Sequence, residues 1–312
     1  MGKIKIILNP ISGMGNGAKQ LTVIQDIFDQ SGISYDISTT EKVWDAASIA
    51  KEAAISGYSG VIAAGGDGTC NEVVNGLMEA SLQLSKLPVF GVLPVGRGND
   101  FAYGAMVPST LIQAAENIIK ANTSPLDVGL IEGGNYPDGR YFVNGIGIGF
   151  DTMVGLEAAK LKFIHGPATY AWGAIVTLFK YPKAPSLRVT YNGETHEVES
   201  NQVSILNGSR MGGTFFMAPG GRVDDGFFDL CMPVKHISRM KMVKLMLQYT
   251  KGTQSDNPVI TMAKSLEYKV EAVTGSLVCH ADGETICIDG KKLRVECIPN
   301  ALRIYSIGEG SN

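Results

Sequence analysis

The chain lacks the features that mark several large protein classes. Its 312 residues contain no apolar run approaching the roughly 18 residues that a membrane span needs. The opening stretch, MGKIKIILNP, is too short in apolar residues for a signal peptide and reads as a buried first strand. Gly2 does not qualify for myristoylation, because Ile6 stands where Ser or Thr is needed. The five cysteines (Cys70, Cys231, Cys279, Cys287 and Cys297) are scattered and form no CxxC pair. Reduced, buried thiols in a reducing cytoplasm are therefore expected rather than a disulfide framework. Four histidines show no HExxH spacing, so nothing points to a transition metal. The charge balance, 27 Lys and Arg against 30 Asp and Glu, lacks the basic excess of a dedicated nucleic-acid binder. A Walker A loop is also missing, since Gly17-Ala18-Lys19-Gln20 does not end in Gly-Lys-Ser/Thr.

What the chain has in excess is glycine, with 38 residues, which implies many turns and close backbone approaches. Its length suffices for two domains with separate cores. The first part alternates strand and helix patterns. Ile4–Leu8, Tyr35–Ser38, Val61–Ala64 and Val89–Leu93 read as strands, the first as one buried on both faces. Between them, Leu21, Ile24, Ile27 and Phe28, then Ala46, Ile49, Ala50 and Ala53, then Val73, Val74, Leu77 and Met78 recur at helical spacing. Leu111–Ile119 is a further helix. This βαβα order predicts a doubly wound, mostly parallel α/β domain over residues 1–124, with 300–312 returning to it.

The rhythm changes after residue 124. Val128–Ile131 and Tyr141–Ile148 read as strands, and Met153–Phe179 as mostly helical. Seven strands follow: Leu187–Tyr191, Val203–Leu206, Phe227–Cys231, Leu266–Val270, Leu277–Cys279, Leu293–Cys297 and Leu302–Tyr305. Asn192-Gly193 forms a tight hairpin turn, and one helix, Ser238–Thr250, interrupts the strands. A β-rich sandwich domain over 125–299 is expected, and Gly308–Asn312 reads as disordered. Strand edges in this second domain make a homodimer an open option.

Three glycine-rich turns fall at the carboxyl ends of predicted parallel strands, where open α/β sheets place ligands. They are Asn9-Pro10-Ile11-Ser12-Gly13 running on through Gly15 and Gly17, Gly65-Gly66-Asp67-Gly68-Thr69 with Asn71 and Glu72, and Gly96-Arg97-Gly98-Asn99-Asp100. Glycines let backbone amides and a helix N-terminus meet a polyphosphate. An aspartate in such a loop repels phosphate unless a divalent cation lies between, so Asp67 points to a divalent cation. Each loop alone also reads as a plain βα turn; three on one sheet edge favour a shared phosphate site. Gly13-x-Gly15-x-x-Ala18 fits a loose dinucleotide fingerprint, but that reading leaves Gly65–Thr69 unexplained.

These motifs resemble the catalytic domain shared by soluble diacylglycerol kinases, sphingosine kinases and ceramide kinases, most closely the bacterial lipid kinases. The resemblance rests on Asn9-Pro10-x-Ser12-Gly13, on Gly65-Gly66-Asp67-Gly68-Thr69-x-Asn71-Glu72-Val73-x-Asn75-Gly76, on Gly96-x-x-Asn99-Asp100-Phe101-Ala102 and on Leu126-Asp127-Val128-Gly129. It continues through Asn207-Gly208, Met211-Gly212-Gly213, Ala218-Pro219, Val223-Asp224-Asp225-Gly226 with Asp229-Leu230, and Asp282-Gly283-Glu284. NAD kinases share the Gly-Gly-Asp-Gly-Thr loop but not the rest.

The resemblance implies a lipid kinase that transfers the γ-phosphate of ATP to a lipid hydroxyl, diacylglycerol first among the acceptors. Asn9, Pro10, Ser12, Gly13, Thr40, Gly65, Gly66, Asp67, Gly68, Thr69, Asn71, Glu72, Gly96, Arg97 and Asn99 would form the nucleotide site. Asp67, Asp100 and Asp127 would form a carboxylate network around Mg²⁺. Asp282 would be the general base with Glu284 beside the nucleotide or its metal, and Asp225 with the carbonyls of Arg222 and Phe227 would hold a structural cation. Arg97 departs from the family's usual threonine; its guanidinium can neutralise a phosphate or obstruct the usual adenosine pose. The chemistry requires both parts: a carboxylate to take the proton of a hydroxyl whose pKa is far above neutral, and charge cancelled at the phosphoryl oxygens.

Plainer readings stand beside these. Asp282-Gly283 also suits an ordinary hairpin turn. Lys235, His236, Arg239, Lys241 and Lys244, with Met240, Met242, Leu245, Met246 and Leu247, can dock on anionic lipid or form an ordinary packed helix. Phe163, Tyr170, Trp172, Ile175 and Phe179 can line an acyl pocket or simply be core. A cytoplasmic enzyme visiting the inner membrane surface is expected, without nucleic-acid partners. The competing classes are a non-catalytic nucleotide or lipid sensor on the same fold, and a kinase for another lipid alcohol or for NAD.

Overall fold

Ile4, Ile6, Ile7 and Leu8 are all buried, which a strand reaches only when covered on both faces. The computed structural model describes residues 2–160, 167–181 and 183–307. It divides into two units. The first comprises Met1–Val128, Val223–Asp225 and Pro299–Asn312, the second Gly129–Arg222 and Gly226–Ile298.

In the first unit the elements run β1 (Ile4–Leu8), α1 (Ser12–Ser31), β2 (Tyr35–Thr39), α2 (Asp45–Ile55), β3 (Gly60–Gly65), α3 (Asp67–Ser81), β4 (Val89–Pro94), α4 (Asp100–Gly104) and α5 (Leu111–Ile119), ending in the start of β5 (Thr123–Gly133). β1 lies between β2 and β3 and is parallel to both, and β4 continues the parallel sheet beside β3. Parallel neighbours need long crossovers, which the helices supply. Ile24 and Phe28 of α1, and Val73, Val74 and Leu77 of α3, are fully buried, as their helical spacing predicts. α5 is capped by Thr110, whose Oγ1 accepts the Gln113 N–H at 3.3 Å.

The second unit continues with β6 (Tyr136–Phe142), β7 (Gly145–Gly149), α6 (Phe150–Ala159), α7 (Pro167–Lys180), β8 (Ser186–Tyr191), β9 (Glu194–Glu199), β10 (Gln202–Leu206), β11 (Phe228–Pro233), α8 (Arg239–Tyr249), β12 (Ile260–Ser265), β13 (Glu267–Ala272), β14 (Leu277–Ala281), β15 (Glu284–Gly290) and β16 (Lys292–Tyr305). One six-stranded antiparallel sheet has the order β12-β11-β10-β7-β14-β15. Its inner face (Ile146, Ile148, Val203, Ile205, Leu230) packs on Leu187, Val189, Val270, Leu293 and Val295 from the strands β8, β13 and β16. Alternation then forces Leu206 and Cys231 to the outer face, where they meet Phe150, Val154, Met242, Leu245 and Tyr249 of the helices. The second unit is therefore two packed sheets with helices over one of them. The Asn192-Gly193 hairpin has φ of 51° and 79°, the left-handed pair a two-residue turn demands.

Four sequence expectations change. The run Tyr141–Ile148 is two strands, not one, broken at Val143-Asn144. The helical stretch expected over Met153–Phe179 is α6 and α7. β9, β12, β15 and the five-residue α4 escaped a reading by periodicity. The two C-terminal runs are one strand, β16, which pairs with β13 up to Glu296 and with β4 at Ile304, with exposed Pro299 between. The expectations for Phe163 and for Gly308–Asn312 lie outside the described residues.

α2 and α3 touch backbone to backbone. A Cβ on Gly76 would stand 2.1 Å from the Ala47 carbonyl oxygen, so no side chain fits without separating the helices. We expect Gly76→Ala to destabilise the protein by about 1–3 kcal/mol, the usual cost of overpacking, with little change in m-value. Urea unfolding followed by circular dichroism measures it, and a midpoint equal to that of the wild type contradicts it.

Candidate active site

In the first unit, three loops at the carboxyl end of the parallel sheet approach one another through glycine. The segment Gly13-Met14-Gly15 has φ of 60°, 64° and 82°, so the chain is left-handed before the regular turns of α1 begin. A Cβ on Gly13 would lie 2.4 Å from the Val95 carbonyl oxygen. One on Gly96 would lie 2.4 Å from the Gly66 Cα, and one on Gly66 would be 3.7 Å from the Ser12 Oγ. Gly65 O accepts from both Val95 N and Gly96 N, at 3.0 and 3.1 Å. Ser12, Gly13, Gly65, Gly66 and Gly96 are thus brought together by backbone contacts that larger residues forbid. No heavy atom lies within 4 Å of the Cβ position on Gly68, so the N-terminus of α3 opens on space.

Polar side chains tie the loops. Asn9 Nδ2 donates to Thr69 Oγ1 at 3.1 Å while its Oδ1 accepts Ile11 N–H at 3.2 Å. Pro10 is held through its carbonyl, which accepts from Ala18 N. Asn99, itself at φ 48°, donates from Nδ2 to the Gly96 carbonyl at 3.1 Å. Asp67 Oδ1 accepts Phe101 N–H at 2.9 Å, an acceptor at the N-terminus of α4. Its Oδ2 and that of the buried Asp100 lie 3.1 and 3.8 Å from the Cβ position on Gly98. Arg97, between these glycines, is exposed.

Other expected site residues face elsewhere. Asn71 is buried, and its carbonyl and Oδ1 accept from Asn75 Nδ2 at 2.9 and 3.2 Å. Glu72 Oε2 accepts Ala46 N–H at 3.2 Å, at the start of α2. Thr40, half-buried, extends β2 by donating its N–H to Leu8 O. Asp127 is fully buried; its Oδ1 accepts Asn300 N–H at 2.7 Å and its own N–H donates to Val223 O. Arg222 and Phe227 are exposed and Asp225 half-buried along one short segment. Among the described residues no three His, Cys, Asp or Glu side chains gather as a metal cluster. Asp67 and Asp100 alone suit Mg²⁺, which takes one or two carboxylates and completes its shell with water and substrate phosphates.

In the second unit Asp282 sits at the tip of the β14–β15 hairpin with φ 47°, followed by Gly283 at 86°. Its carboxylate accepts three backbone N–H groups: Val143 on Oδ2 at 2.7 Å, and Asn144 and Gly145 on Oδ1 at 3.0 and 2.9 Å. The hairpin reading of Asp282-Gly283 is met by this geometry. Three such donors favour the ionised carboxylate and fix its direction. Glu284 starts β15 opposite Ala281. The cradle Val143–Gly145 was not foreseen; its signal was Gly145-x-Gly147-x-Gly149, glycines alternating where a strand would carry side chains.

Comparison with known proteins covers both units. Residues 3–131 match the diacylglycerol kinase catalytic domain, and residues 144–306 the YegS C-terminal NAD kinase beta sandwich-like domain. The chain is 32% identical over 291 residues to a diacylglycerol kinase of Bacillus subtilis, covering 91% of this chain and 90% of that one. It is 30% identical over 283 residues to a diacylglycerol kinase of Staphylococcus aureus, covering 90% and 86%. Among solved structures, a putative diacylglycerol kinase from Bacillus anthracis aligns with a TM-score of 0.77 at 25% identity, covering 97% of each chain. Yeast NADH kinase aligns with a TM-score of 0.55 at 10% identity, covering 100% of this chain and 84% of that one, a likeness of fold alone.

The position of Glu72 separates a structural from a ligand role. Its acceptor at the start of α2 meets a donor that the helix cannot satisfy internally. We expect Glu72→Ala to cost about 1 kcal/mol of stability and to leave nucleotide affinity within about twofold. Calorimetric unfolding and nucleotide titration on the same variant measure both, and a large affinity loss at wild-type stability contradicts the assignment.

Proposed function

The chain belongs to the diacylglycerol kinase family, and from that premise we propose that it transfers the γ-phosphate of ATP to the hydroxyl of a membrane lipid, diacylglycerol in the first instance. The observation that carries the reading is the close approach of the Gly66 and Gly96 loops beside Asp67, with open space off Gly68 in the first turn of α3, where a helix N-terminus suits an anion. A polyphosphate fits that arrangement. Asn9, Ser12, Gly13, Gly65–Thr69, Gly96 and Asn99 line it, and Arg97 supplies a mobile positive fork. Mg²⁺ held by Asp67 and Asp100 would neutralise the polyphosphate and the charge that develops on it. Asp127, which also accepts the Asn300 N–H, stays part of the proposed carboxylate network. The structural cation at Arg222, Asp225 and Phe227 stays part of the proposal.

Asp282 has the complementary role. Its three amide donors hold the carboxylate in one orientation, so an acceptor hydroxyl donating to it is aligned before reaction. The proton passes to this carboxylate as the new O–P bond forms, since phosphoryl transfer relies on positioning more than on a strong base. Access to lipid is supported by the outward face of α7, where Trp172, Ile175 and Phe179 are exposed, Phe179 by 75%. Exposed Met240 and Leu247 accompany the lysines of α8, while Met242, Leu245 and Tyr249 are packed inside. The basic helix is therefore a packed element with apolar residues left on its solvent side. Transient contact with the inner membrane surface completes the proposal.

The test is phosphate transfer from labelled ATP and Mg²⁺ to diacylglycerol in mixed micelles, by the wild type and by Asp282→Asn. We expect labelled lipid from the wild type and a rate lower by about 10²–10⁴-fold from the variant, with ATP affinity within about twofold. ATP binding without transfer to any lipid favours a sensor, and transfer to NAD favours an NAD kinase; either outcome overturns the reading.

A further inference from the structure

The helix α8 carries charge that its own fold does not use. Between Asp229 and Asp256 the chain has no acidic residue, although the whole sequence has 30 acids against 27 Lys and Arg. Lys235, Arg239, Lys241, Lys244 and Lys251 fall in that stretch. All five are exposed, and none has an ion-pair partner among the described residues. On the sheet surface of the same unit cations are balanced: Arg188, Lys269, Lys292 and Arg294 each pair with a glutamate. Arg239 and Lys241 stand in the first turn of α8, which has no acid and no side-chain cap. The helix dipole favours acids at that end, so these cations oppose helix formation rather than assist it. A local conflict of this kind marks function more often than folding.

The cations flank an apolar stripe. Met242, Leu245 and Tyr249 turn inward to the core under the helices, with Met246 half-buried beside them. At about 100° per residue the opposite side of the helix is centred on Met240 and Leu247, with Val243 within about 60° of both. These three are 71%, 60% and 37% exposed. The same rotation puts Arg239 on one border of the stripe and Lys244 and Lys241 on the other. The helix α7 has a matching row, since exposed Trp172, Ile175 and Phe179 have the spacing of Met240, Val243 and Leu247. Tyr181, just after α7, donates from its hydroxyl to Ile237 O at 2.6 Å, and its ring lies 6.0 Å from that of His236. The end of α7 therefore adjoins the start of the basic segment.

We propose that α8 is a docking helix for anionic lipid bilayers, and that the phosphorylated lipid the enzyme makes strengthens its own attachment. The second half rests on the lipid-kinase reading; the first does not. A convex ridge of Met240, Val243 and Leu247 between cations fits the boundary of head groups and acyl chains. There the apolar tips enter while the lysine stems reach back to phosphates. A nucleic acid gives Met240 and Leu247 nothing to enter, and an acidic protein would have to bring its own groove. Each cation held near an anionic surface adds about fivefold to partition, so the unpaired set confers a charge preference that apolar contact at α7 lacks. Phosphorylating a hydroxyl adds about −1.5 to −2 charges at pH 7. The reaction thus turns a neutral acceptor into a lipid that α8 holds, and attachment rises with turnover.

Flotation of the full chain with phosphatidylcholine vesicles, plain or with about 30 mol% phosphatidic acid, tests the docking. For the wild type we expect the acidic vesicles to bind at least about tenfold tighter, a preference that fades as salt shortens the Debye length. Lys241→Glu with Lys244→Glu should bring that ratio below about threefold. Met240→Ser with Leu247→Ser should weaken binding to acidic vesicles by at least about fivefold. All four side chains are exposed, so thermal midpoints should stay within about 2 °C of the wild type. Equal binding of the wild type to both vesicles overturns the inference, as does a charge preference that survives in the lysine variant. Vesicle binding untouched by the Met240 and Leu247 changes also overturns it, since the helix is then a plain polyanion site for an acidic protein or nucleic acid. A second arm measures the initial rate on diacylglycerol in phosphatidylcholine vesicles, with and without about 10 mol% phosphatidic acid. We expect a rise of at least about threefold in the wild type and less than about 1.5-fold in the lysine variant. An unaffected wild-type rate overturns the feedback. If the wild type phosphorylates no lipid, the kinase reading fails and the feedback with it, while flotation still decides the docking.

Discussion

One carboxylate organises the second unit around its hairpin. Asp282 receives the N–H groups of three consecutive residues, Val143, Asn144 and Gly145. Those amides would otherwise continue the ladder of β6 into β7. Because they are turned to Asp282, the run stops, and the chain leaves the β5–β6 pair to enter the other sheet. The left-handed conformation of Asp282 is strained for a residue with a side chain, and three hydrogen bonds to a charged acceptor offset that strain. The acid proposed to orient the acceptor thus also sits where two strands divide. A substitution here acts on both, so chemistry and stability need separate readouts.

The first unit depends on a different constraint, the missing Cβ atoms of Gly13, Gly66 and Gly96. These positions do not supply chemistry; they allow three main chains to meet where any side chain would intrude. Under the proposed reading, amides at helix N-termini meet a polyphosphate there, and Asp67 would supply the negative charge a divalent cation requires. The ordering is physical: close approach first, amide field second, metal third. It explains why Asn9, Thr69 and Asn99, which bridge the loops, matter as much as the residues that would touch a phosphate.

Much of this was legible in the sequence. The parallel strands were continuous apolar runs, the helices α2, α3 and α5 had clear spacing, and the glycine loops stood between them, so the α/β and β-rich classes followed. What the sequence concealed were interactions between residues far apart in the chain. Nothing near Val143 signals that its N–H will meet Asp282, 139 residues later. Nothing near Glu72 signals Ala46, 26 residues earlier. Motif membership placed Glu72 and Asn71 among ligand-binding residues, while the fold turns both toward helix packing. A motif preserves residues for the loop's own architecture as well as for its ligand, and spacing alone cannot separate the two.

The alternating glycines of β7 bring these strands of argument together. Gly145 donates its N–H to Asp282, Gly147 admits Asp151 and His280 to 2.4 and 2.6 Å from where its Cβ would be, and Gly149 packs against the Asn201 carbonyl, 2.2 Å from where its Cβ would be. Each could be dismissed as a weak strand position, since glycine costs β-structure entropy without adding contacts. The strand is nevertheless secure, because Ile146 and Ile148 on the opposite side are buried between the sheets. Burying one face of about 1.5–3 kcal/mol per large apolar side chain frees the other face from any stabilising duty. That division of labour within five residues lets one face hold the core between the sheets while the glycines of the other admit close packing of α6 and the neighbouring strands.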